Sequence, residues 1–412
     1  MASPVLAQPL SSFLEAAEQH NVDARLGAEA TRKASADSGK AWGGLLPSLS
    51  ASGGYTYNEF PAVIPSNPVT GTGDLVIIPR DQLDVTAKVE LPLLDAQRWF
   101  TAAAAAASVD AAQAREGATL DTVRRQVVAA FYTVTGARAV LDSAQKSLKV
   151  AQAQLEFAAA RRAAGVATEL ELERARAEVE RNQQLVADAE SLVATSARSL
   201  RTLTGLEPGA LPALPDDDLH PEPPEEELER RVEGLPPVVA AERDVSAAGR
   251  ARTAATLALV PSVNAQFTQR LTNATSFQGT PHSFNAGLTL SWRLDVPVVQ
   301  TIRAQASAEE SARLQAEKAR LAAQDQVHAD WQKVRAAITK VKASAAQVAA
   351  ARRAQALATE RYQAGVATQL DTIQTDRDVF AAEVNDIQAR GELAAARLAL
   401  RLSAGLPLEV QP

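Results

Sequence analysis

The chain has no cysteine, few aromatic side chains and no long apolar run, and each absence excludes a class of protein. Without cysteine in its 412 residues it has neither a disulfide framework nor a thiolate metal site. No stretch of eighteen or more strongly apolar residues occurs, which excludes a transmembrane helix. Strands of a transmembrane barrel remain compatible with the sequence, because each needs only about ten alternating residues. An aromatic content of 4% and abundant alanine indicate a thin core and an elongated protein.

Signals of catalysis are missing as well. The sequence has no phosphate-binding glycine loop, no nucleophile elbow and no dinucleotide fingerprint. Its four histidines, His20, His220, His282 and His328, lie on unrelated predicted elements, so we expect no metal site. The net charge of -7 argues against a nucleic-acid partner, because duplex binding depends on clustered Lys and Arg. We therefore expect a protein that is not an enzyme and holds no cofactor.

The most informative stretch occurs twice. Ala164-Gly165-Val166-Ala167-Thr168 has a second copy at Ala364-Gly365-Val366-Ala367-Thr368, and each copy separates two long alanine-rich runs. Glycine adopts left-handed dihedral angles without penalty and threonine caps helices, so each copy predicts the turn of a helical hairpin. A carboxylate follows each turn, Glu171 in the first half and Asp371 in the second.

The two halves also match outside the turns, which indicates an internal duplication. The matching segments are Leu46-Pro47-Ser48-Leu49 with Val260-Pro261-Ser262-Val263, Leu94-Asp95 with Leu294-Asp295, and Leu200-Arg201 with Leu400-Arg401. On these residues the chain resembles the TolC-like outer-membrane efflux proteins over nearly its whole length. The most specific residues for this resemblance are the tip Arg361-Tyr362 to Leu370-Asp371 and the two Pro-Ser strand starts.

The resemblance implies a mainly α fold with a membrane β-barrel portion. In this family each protomer consists of two repeats of strand, strand and long helical hairpin. Three protomers share a twelve-stranded barrel that continues as an α-helical coiled-coil tunnel. Residues 1–207 would form the first repeat, residues 208–224 an exposed, acidic, proline-rich linker, and residues 225–412 the second repeat.

Alternation of apolar and polar residues predicts four strands. They run from Leu49 to Tyr57, Leu83 to Leu91, Val263 to Phe267 and Phe284 to Trp292, with Trp292 at a membrane interface. The residues alone also allow a small soluble sandwich with the same alternation. Phe60 to Arg80 is so rich in proline and glycine that we predict a loop without regular structure. Helices are expected before each strand pair, from Leu10 (capped by Ser11 or Ser12) to Lys40 and from Glu225 to Thr256.

Two long helices are predicted, from Asp95 to Ala163 and from Val298 to Gln363. The first has about 68 residues and is roughly 100 Å long. Apolar residues at alternating steps of four and three indicate knobs-into-holes seams, with returning helices packed antiparallel on them. The seams are Val123, Val127, Ala130, Val134, Ala137, Leu141, Ala144, Leu148, Ala151 and Leu155, and Val327, Trp331, Val334, Ile338, Val341, Ala345 and Val348. The return helix from Thr168 to Thr204 is too short to cover its partner, so we expect the Leu10–Lys40 helix to stack on its end.

The function implied by the resemblance is that of an outer-membrane exit duct in a tripartite efflux or type I secretion system. Such a duct passively conducts drugs or other substrates from an inner-membrane pump across the periplasm. Its expected partners are two further copies of the chain, a periplasmic adaptor protein, the pump and outer-membrane lipid. The alternative is a soluble periplasmic coiled-coil adaptor or structural protein. We expect a bacterial outer-membrane location with the helices in the periplasm, although Met1 to Pro9 lacks the features of an export signal.

Two groups of site residues follow from the resemblance. The adaptor would dock on the tips, at Ala164, Gly165, Val166, Thr168, Ala364, Gly365, Val366 and Thr368. The tunnel gate would contain Glu171, Tyr362 and Asp371, where six carboxylates of a trimer make a cation-selective constriction. Some members also have an arginine at the position of Ala367 and an aspartate at that of Gln374. Because both are missing here, we expect a weaker tether between helices and a closed state that depends more on packing and on Tyr362.

Overall fold

The computed structural model describes residues 7–65, 74–275 and 279–408. The first half contains α1 (Leu10–His20), α2 (Val22–Gly43), β1 (Ser48–Tyr57), β2 (Ala62–Ile64), β3 (Leu75–Ile78), β4 (Asp81–Leu94), α3 (Ala96–Ala163) and α4 (Glu169–Thr204). The second contains α5 (Glu225–Glu229), α6 (Pro236–Leu257), β5 (Ser262–Thr272), β6 (His282–Ser291), α7 (Val296–Gln363) and α8 (Gln369–Ser403). The predicted mainly helical fold with long hairpins and strands is confirmed.

The chain divides into two compact units, and each contains parts of both halves. The helical unit comprises residues 1–29, 114–239 and 317–412, and the strand unit comprises residues 30–113 and 240–316. The long helices α3 and α7 each have 68 residues and run through both units. The division at residues 208–224 between two repeats stays a prediction.

The helical unit has two apolar cores, one for each half of the chain. The first is made by Leu10, Phe13, Leu14, Ala17, Val123, Val127, Val128, Phe131, Val134 and Leu200, with Leu398 from the second half. The second is made by Leu228, Val232, Leu235, Val238, Val327, Val334, Ala337, Val341, Ala389, Leu393, Leu400 and Ala404. Both cores lie where a long helix meets its return helix and the helix that begins the same half.

The predicted seams are buried or half-buried along α3 and along most of α7. Ala345 is the exception, because it is exposed and Ser344 is buried in its place. The Ser344 hydroxyl donates to Asp386 of α8 at 2.8 Å. A straight helix drifts from a strict four-three spacing, which accounts for the shift by one residue.

The predicted helix from Leu10 to Lys40 is two helices, because Asn21 is extended, with φ −62° and ψ 134°. Its side-chain oxygen accepts hydrogen bonds from the backbone N–H groups of Asp23 (2.8 Å) and Ala24 (3.3 Å) and so caps α2. Its amide donates to the carbonyl oxygen of Leu203, at the end of α4, at 3.1 Å. The stacking expected for the whole first helix therefore applies to α2, which begins where α4 ends.

The start of α1 also differs from the prediction. The residue before the helix is Pro9, which makes no side-chain cap. Ser12 is inside the first turn, and its hydroxyl donates back to the Pro9 carbonyl at 2.7 Å. Neither serine therefore serves as the expected cap.

The helix predicted from Glu225 to Thr256 is interrupted in the same way. A single 3-10 turn at Val232–Gly234 and the extended Leu235 separate α5 from α6. Leu235 packs against the end of α8, where its Cδ2 lies 3.2 Å from the position that a Cβ on Gly405 would take. In both halves, then, the break faces the end of a return helix.

Residues 208–224 form no regular element, as predicted, but they are held on the helices and are not a freely exposed linker. The Arg397 guanidinium of α8 donates to both carboxylate oxygens of Asp217 at 2.6 and 2.8 Å and to Glu222 at 2.5 Å. The three side chains are 11%, 19% and 13% exposed. Leu219 packs against the second core. Two of the acidic residues that suggested a solvated linker, Asp217 and Glu222, are the partners of a poorly exposed cation.

We predict that Arg397→Met lowers the free energy of unfolding by about 3 kcal/mol, because removing one partner from a poorly exposed ion pair leaves the other charge uncompensated. Arg176→Met is the matched control, since Arg176 and Glu173 are 57% and 53% exposed. It should change stability by less than about 0.5 kcal/mol. Urea denaturation in detergent, followed by circular dichroism, measures both. Equal midpoints for the two variants would contradict the prediction.

Candidate functional site

Both predicted turns are present, and in each a glycine in the left-handed conformation follows the end of the long helix. Gly165 has φ 75° and Gly365 has φ 79°. The Gly165 N–H donates to the Arg162 carbonyl at 2.9 Å, and the Gly365 N–H donates to the Tyr362 carbonyl at 3.0 Å. No atom lies within 4 Å of a Cβ built on either glycine, so the backbone conformation and not crowding requires glycine here.

Each return helix begins with a reciprocal capping box. The Thr168 hydroxyl accepts from the Glu171 N–H, and Glu171 accepts from the Thr168 N–H, both at 3.3 Å. Asp371 accepts from the Thr368 N–H at 2.8 Å, and the Thr368 hydroxyl accepts from the Asp371 N–H at 3.3 Å. Both predicted gate carboxylates therefore have a structural role within the protomer.

Capping also sets the charge of Asp371. Donation from the Thr368 backbone, and then from its hydroxyl, lowers the pKa of the Asp371 carboxyl below its ordinary value. The side chain is exposed, and Arg361 lowers its pKa further. Asp371 of a single protomer is thus an anion throughout the physiological range.

The tips differ at two equivalent positions. In the first, Arg162 and Glu169 form an exposed ion pair across the turn. In the second these positions are Tyr362 and Gln369, which are both buried. Within the described residues, the Tyr362 hydroxyl and the Gln369 side-chain oxygen have no hydrogen-bond partner. The second tip replaces an ion pair with a neutral, buried pair.

Tyr362 connects the two hairpins. The Arg161 guanidinium carbon lies 4.9 Å from the centre of the Tyr362 ring and 5.8 Å from that of Phe157. The two rings meet edge to face with centroids 6.0 Å apart. Burial raises the pKa of the Tyr362 phenol, Arg161 opposes this, and Glu171 adds to it. The phenol is therefore neutral.

Four large apolar side chains at the tips are more than half exposed: Val166, Leu170, Val366 and Leu370. Ala164 and Ala364 are exposed beside them. Equivalent positions in both tips are apolar, and grouped exposed apolar residues mark interaction surfaces. The tips therefore present small and branched apolar side chains outward.

The sequence did not predict the polar side-chain contacts behind the tips. Arg377 of α8 donates to one oxygen of the buried Glu178 of α4 at 3.0 and 2.5 Å. Asp376 accepts from Gln355 at 2.7 Å and from Gln154, and burial raises the pKa of its carboxyl. For Asp376 the sequence does contain a signal, because ionisable residues recur at every seventh position of α8, namely Asp376, Glu383, Arg390 and Arg397. These contacts join the two hairpins.

The strand unit carries the second functional surface, an antiparallel sheet in the order β1-β4-β5-β6. One face is mainly apolar in all four strands, and its polar exceptions are Gln269 within β5 and Asp81 and His282 at the ends of β4 and β6. The other carries Ser48, Ser50, Ser52, Thr56, Gln82, Asp84, Thr86, Lys88, Glu90, Asn264, Gln266, Thr268, Arg270, Ser283, Asn285 and Thr289. The charges on that face are paired, because Arg270 contacts Asp84 at 2.6 Å and Lys88 contacts Glu90.

One part of the strand prediction is wrong. The segment from Phe60 to Arg80 contains a short hairpin of β2 and β3, with Val63 opposite Val76 and Ile64 opposite Leu75. Prolines and glycines led to the loop prediction, yet the β-branched residues at the ends of the segment pair with each other. Residues 66–73 lie outside the described part of the chain. Trp292 follows β6 directly, and its indole N–H donates to the Leu259 carbonyl at 3.0 Å.

One of the four histidines, His220, lies next to two carboxylates in residues 208–224. Asp217, Asp218 and His220 offer oxygen and nitrogen atoms within 4.8 Å of one another. Arg397 occupies this group, since it donates to Asp217 and lies 3.1 Å from the His220 Nε2. Arg397 thus contacts two of these three side chains, and the third, Asp218, contacts the His220 Nδ1.

Among the described residues, no helix combines the length and the hydropathy that crossing a bilayer requires. A sheet with one apolar and one polar face, in a chain with two long helical hairpins, is the combination that the resemblance to channel proteins of the TolC-like class predicts.

Comparison with known proteins agrees with this class. The family model described as outer membrane efflux protein matches residues 13–206 and 229–406. A search of curated proteins gives no match. Solved structures that share the fold include a membrane protein from Pseudomonas aeruginosa, with TM-score 0.80, 21% identity and coverage of 98% of both chains. The CmeC outer membrane channel of Campylobacter jejuni has TM-score 0.80 at 16% identity, over 96% of this chain and 85% of CmeC. The open MtrE outer membrane channel of Neisseria gonorrhoeae has TM-score 0.77 at 20% identity, over 98% and 91%.

The chain therefore belongs to the outer membrane efflux protein family, which includes TolC. It is an outer-membrane efflux channel with a periplasmic helical extension, and the family's function is transport and not catalysis. This result decides against the soluble adaptor alternative. Channels of the family typically form trimers that associate with efflux pumps.

We predict that the connections at the far end of the strands face the cell exterior, because the helices extend into the periplasm. The native chain has no cysteine, so single cysteines can be labelled without background. A membrane-impermeant maleimide should label Phe60→Cys and Thr280→Cys in intact cells. Val166→Cys, at a helical tip, should react only after the outer membrane is permeabilised. Labelling of Val166→Cys alone from outside would show that the orientation is reversed.

Proposed function

We propose that three copies of this chain form a passive exit duct, gated at the helical tips, for a tripartite efflux or type I secretion system. The observation that carries the proposal is the open sheet, which has an apolar face, a polar face and edge strands β1 and β6. Open sheet edges do not occur in lipid, so the edges must pair with further copies. Three copies of four strands supply the twelve strands that the family resemblance implies.

The polar face supports passive conduction. In a closed ring it would line the lumen with hydroxyl and amide groups. Its charged residues, Asp84 with Arg270 and Lys88 with Glu90, are paired within the sheet and leave no excess charge of either sign. Such a lining offers no strong binding site, as expected for a duct that serves a pump's substrates without selecting them.

The tips are the proposed docking surface for the periplasmic adaptor. Ala164, Val166, Ala364 and Val366 present an apolar surface of small side chains on rigid, capped turns. Gly165 and Gly365 give these turns their shape, while Thr168 and Thr368 begin the return helices. A partner's helical hairpin could pack closely on these residues and bury them.

The gate is proposed at Glu171, Tyr362 and Asp371. Three protomers would gather six carboxylates at the narrow end of the tunnel, next to the neutral Tyr362 ring. Asp371 is exposed and ionised, so such a ring would attract cations. Repulsion within the ring opposes the effect of capping, because like charges raise each other's pKa values.

We predict that Val166→Arg combined with Val366→Arg abolishes efflux without affecting assembly. Two charges in an apolar contact should weaken adaptor binding more than about tenfold. Substitution of Gly165 or Gly365 would be less informative, because positive φ angles would also strain the turn. Co-purification of the adaptor and retention of a fluorescent pump substrate in cells are the measurements.

Val63→Arg at the opposite end of the strands is the matched control and should leave adaptor binding and efflux intact. Undiminished adaptor binding by the double variant would remove the tips from the docking surface. Loss of the trimer in detergent would mean that the variant tests assembly instead.

We predict that Glu171→Gln combined with Asp371→Asn reduces cation preference and weakens block by multivalent cations in planar bilayers. These substitutions remove the charge and keep side chains that can still form hydrogen bonds with the cap threonines. Because capping lowers the pKa of Asp371, the native preference should persist down to about pH 5.

The matched control is Glu173→Gln combined with Asp378→Asn, which removes two exposed charges farther along the same helices. It should leave selectivity nearly unchanged. If both double variants behave like the native channel, the constriction is elsewhere and the two carboxylates serve only as caps.

A further inference from the structure

The edge strands β1 and β6 are suited to pair with each other across a protomer boundary. Each has ten residues, and in the described part of the chain each has one strand neighbour, β4 for β1 and β5 for β6. Since the four strands alternate in direction, β6 of one copy and β1 of the next would run antiparallel. The occupant that fits each edge is therefore a second copy of this chain.

The junction between β4 and β5 provides the template for that contact, because it already joins the first half to the second. Its register places Glu90 opposite Gln266 and Lys88 opposite Thr268. In a ring built from copies, the β6–β1 junction likewise joins the second strand of one hairpin to the first strand of the next hairpin. Barrel closure links strand tilt to the stagger at every junction, which favours one stagger for both.

The correspondence between the halves is set by the sequence and by the hairpin registers. Ser48 and Ser262 begin β1 and β5, each directly after a proline. Ser48 pairs with Glu90, and Ser262 pairs with Ser291, so Glu90 corresponds to Ser291.

An independent feature confirms this alignment. The sequence separation between Glu90 and Asp95 is one residue longer than the separation between Ser291 and Asp295. The extra residue in the first half is the irregularity that the sheet shows between Pro92 and Leu94. The matching Leu-Asp pairs, the strand starts and the hairpin registers therefore agree.

We propose that β6 of one protomer pairs with β1 of the next in the register that this symmetry gives. Ser291 then lies opposite Ser52, Leu290 opposite Gly53, Thr289 opposite Gly54, Leu288 opposite Tyr55, Gly287 opposite Thr56 and Ala286 opposite Tyr57. The inference rests on the proposed trimeric duct and adds the residues that hold its protomers together in the membrane.

The side chains fit this register. Polar residues face polar residues on one side of the sheet, and apolar residues face apolar residues on the other. Each glycine, Gly53, Gly54 or Gly287, lies opposite a residue with a side chain. A slip by one residue would put the apolar side chains of one edge on the polar face. A slip by two residues in one direction would set Gly287 opposite Gly54, with no side chain on either.

Three serines of β1 can be used to measure the register. Ser48, Ser50 and Ser52 share the polar face and are spaced roughly 7 Å apart along the strand. Each is changed to cysteine together with Ser291→Cys, in a chain that has no native cysteine. A bond within one chain is excluded, since β1 and β6 are opposite edges of the sheet and about 14 Å apart. Disulfide formation needs Cα atoms within about 7 Å.

We expect Ser52→Cys with Ser291→Cys to form disulfide-linked dimers and trimers fastest, on the order of tenfold faster than Ser48→Cys with Ser291→Cys. Ser50→Cys should be intermediate, and Ser291→Cys alone should give no linked species. A maximum at Ser50 or Ser48 overturns the register. No linkage in any pair, with a trimeric mass in detergent, overturns the pairing of Ser291 with this part of β1 and leaves the proposed trimer standing. A monomeric mass in detergent overturns the trimeric duct itself.

Discussion

The structure depends on burying one narrow apolar seam along each of two 68-residue helices. Alanine-rich helices gain little from side-chain burial on their own, so tertiary packing must cover them. In α3, Val127 and Val134 are fully buried under α1 and α4, and α7 has the equivalent Val327 and Val334. Each half therefore needs a second helix beyond the point where its return helix ends. This need explains why the first helical segment of each half breaks beside that end.

A few ion pairs with a poorly exposed member determine how neighbouring segments are placed. Arg397 draws residues 208–224 onto α8, and Glu178 with Arg377 joins α4 to α8. An unpaired buried charge is costly, so each pair excludes arrangements that would separate its members. The seams by themselves allow sliding by a heptad, because alanine and valine repeat along them. The buried ionic contacts remove that freedom.

The two tips share one backbone design with different side-chain chemistry. A left-handed glycine and a threonine capping box form both turns, yet Arg162 and Glu169 in the first correspond to Tyr362 and Gln369 in the second. Burial of the neutral pair brings Tyr362 between the hairpins, against Arg161. A rigid turn that presents apolar residues suits a docking surface. The neutral second tip, next to the capping carboxylates, suits a gate that opens without breaking an ion pair across its own turn.

The sequence alone determined the features that depend on neighbouring residues. Positive φ requires glycine at the turns, threonine followed by a carboxylate three residues later caps a helix, and period-two alternation marks the two faces of a strand. The ends of α3 and the order of elements followed from these local rules. Only the tertiary structure decided the break at Asn21, the pairing of β2 with β3, the attachment of residues 208–224 and the burial of Tyr362. The β2–β3 hairpin is local, but the prolines and glycines of its segment concealed it. The other three features depend on partners distant in sequence, such as the Leu203 carbonyl or Arg397, and no local pattern specifies which distant group will lie within contact distance.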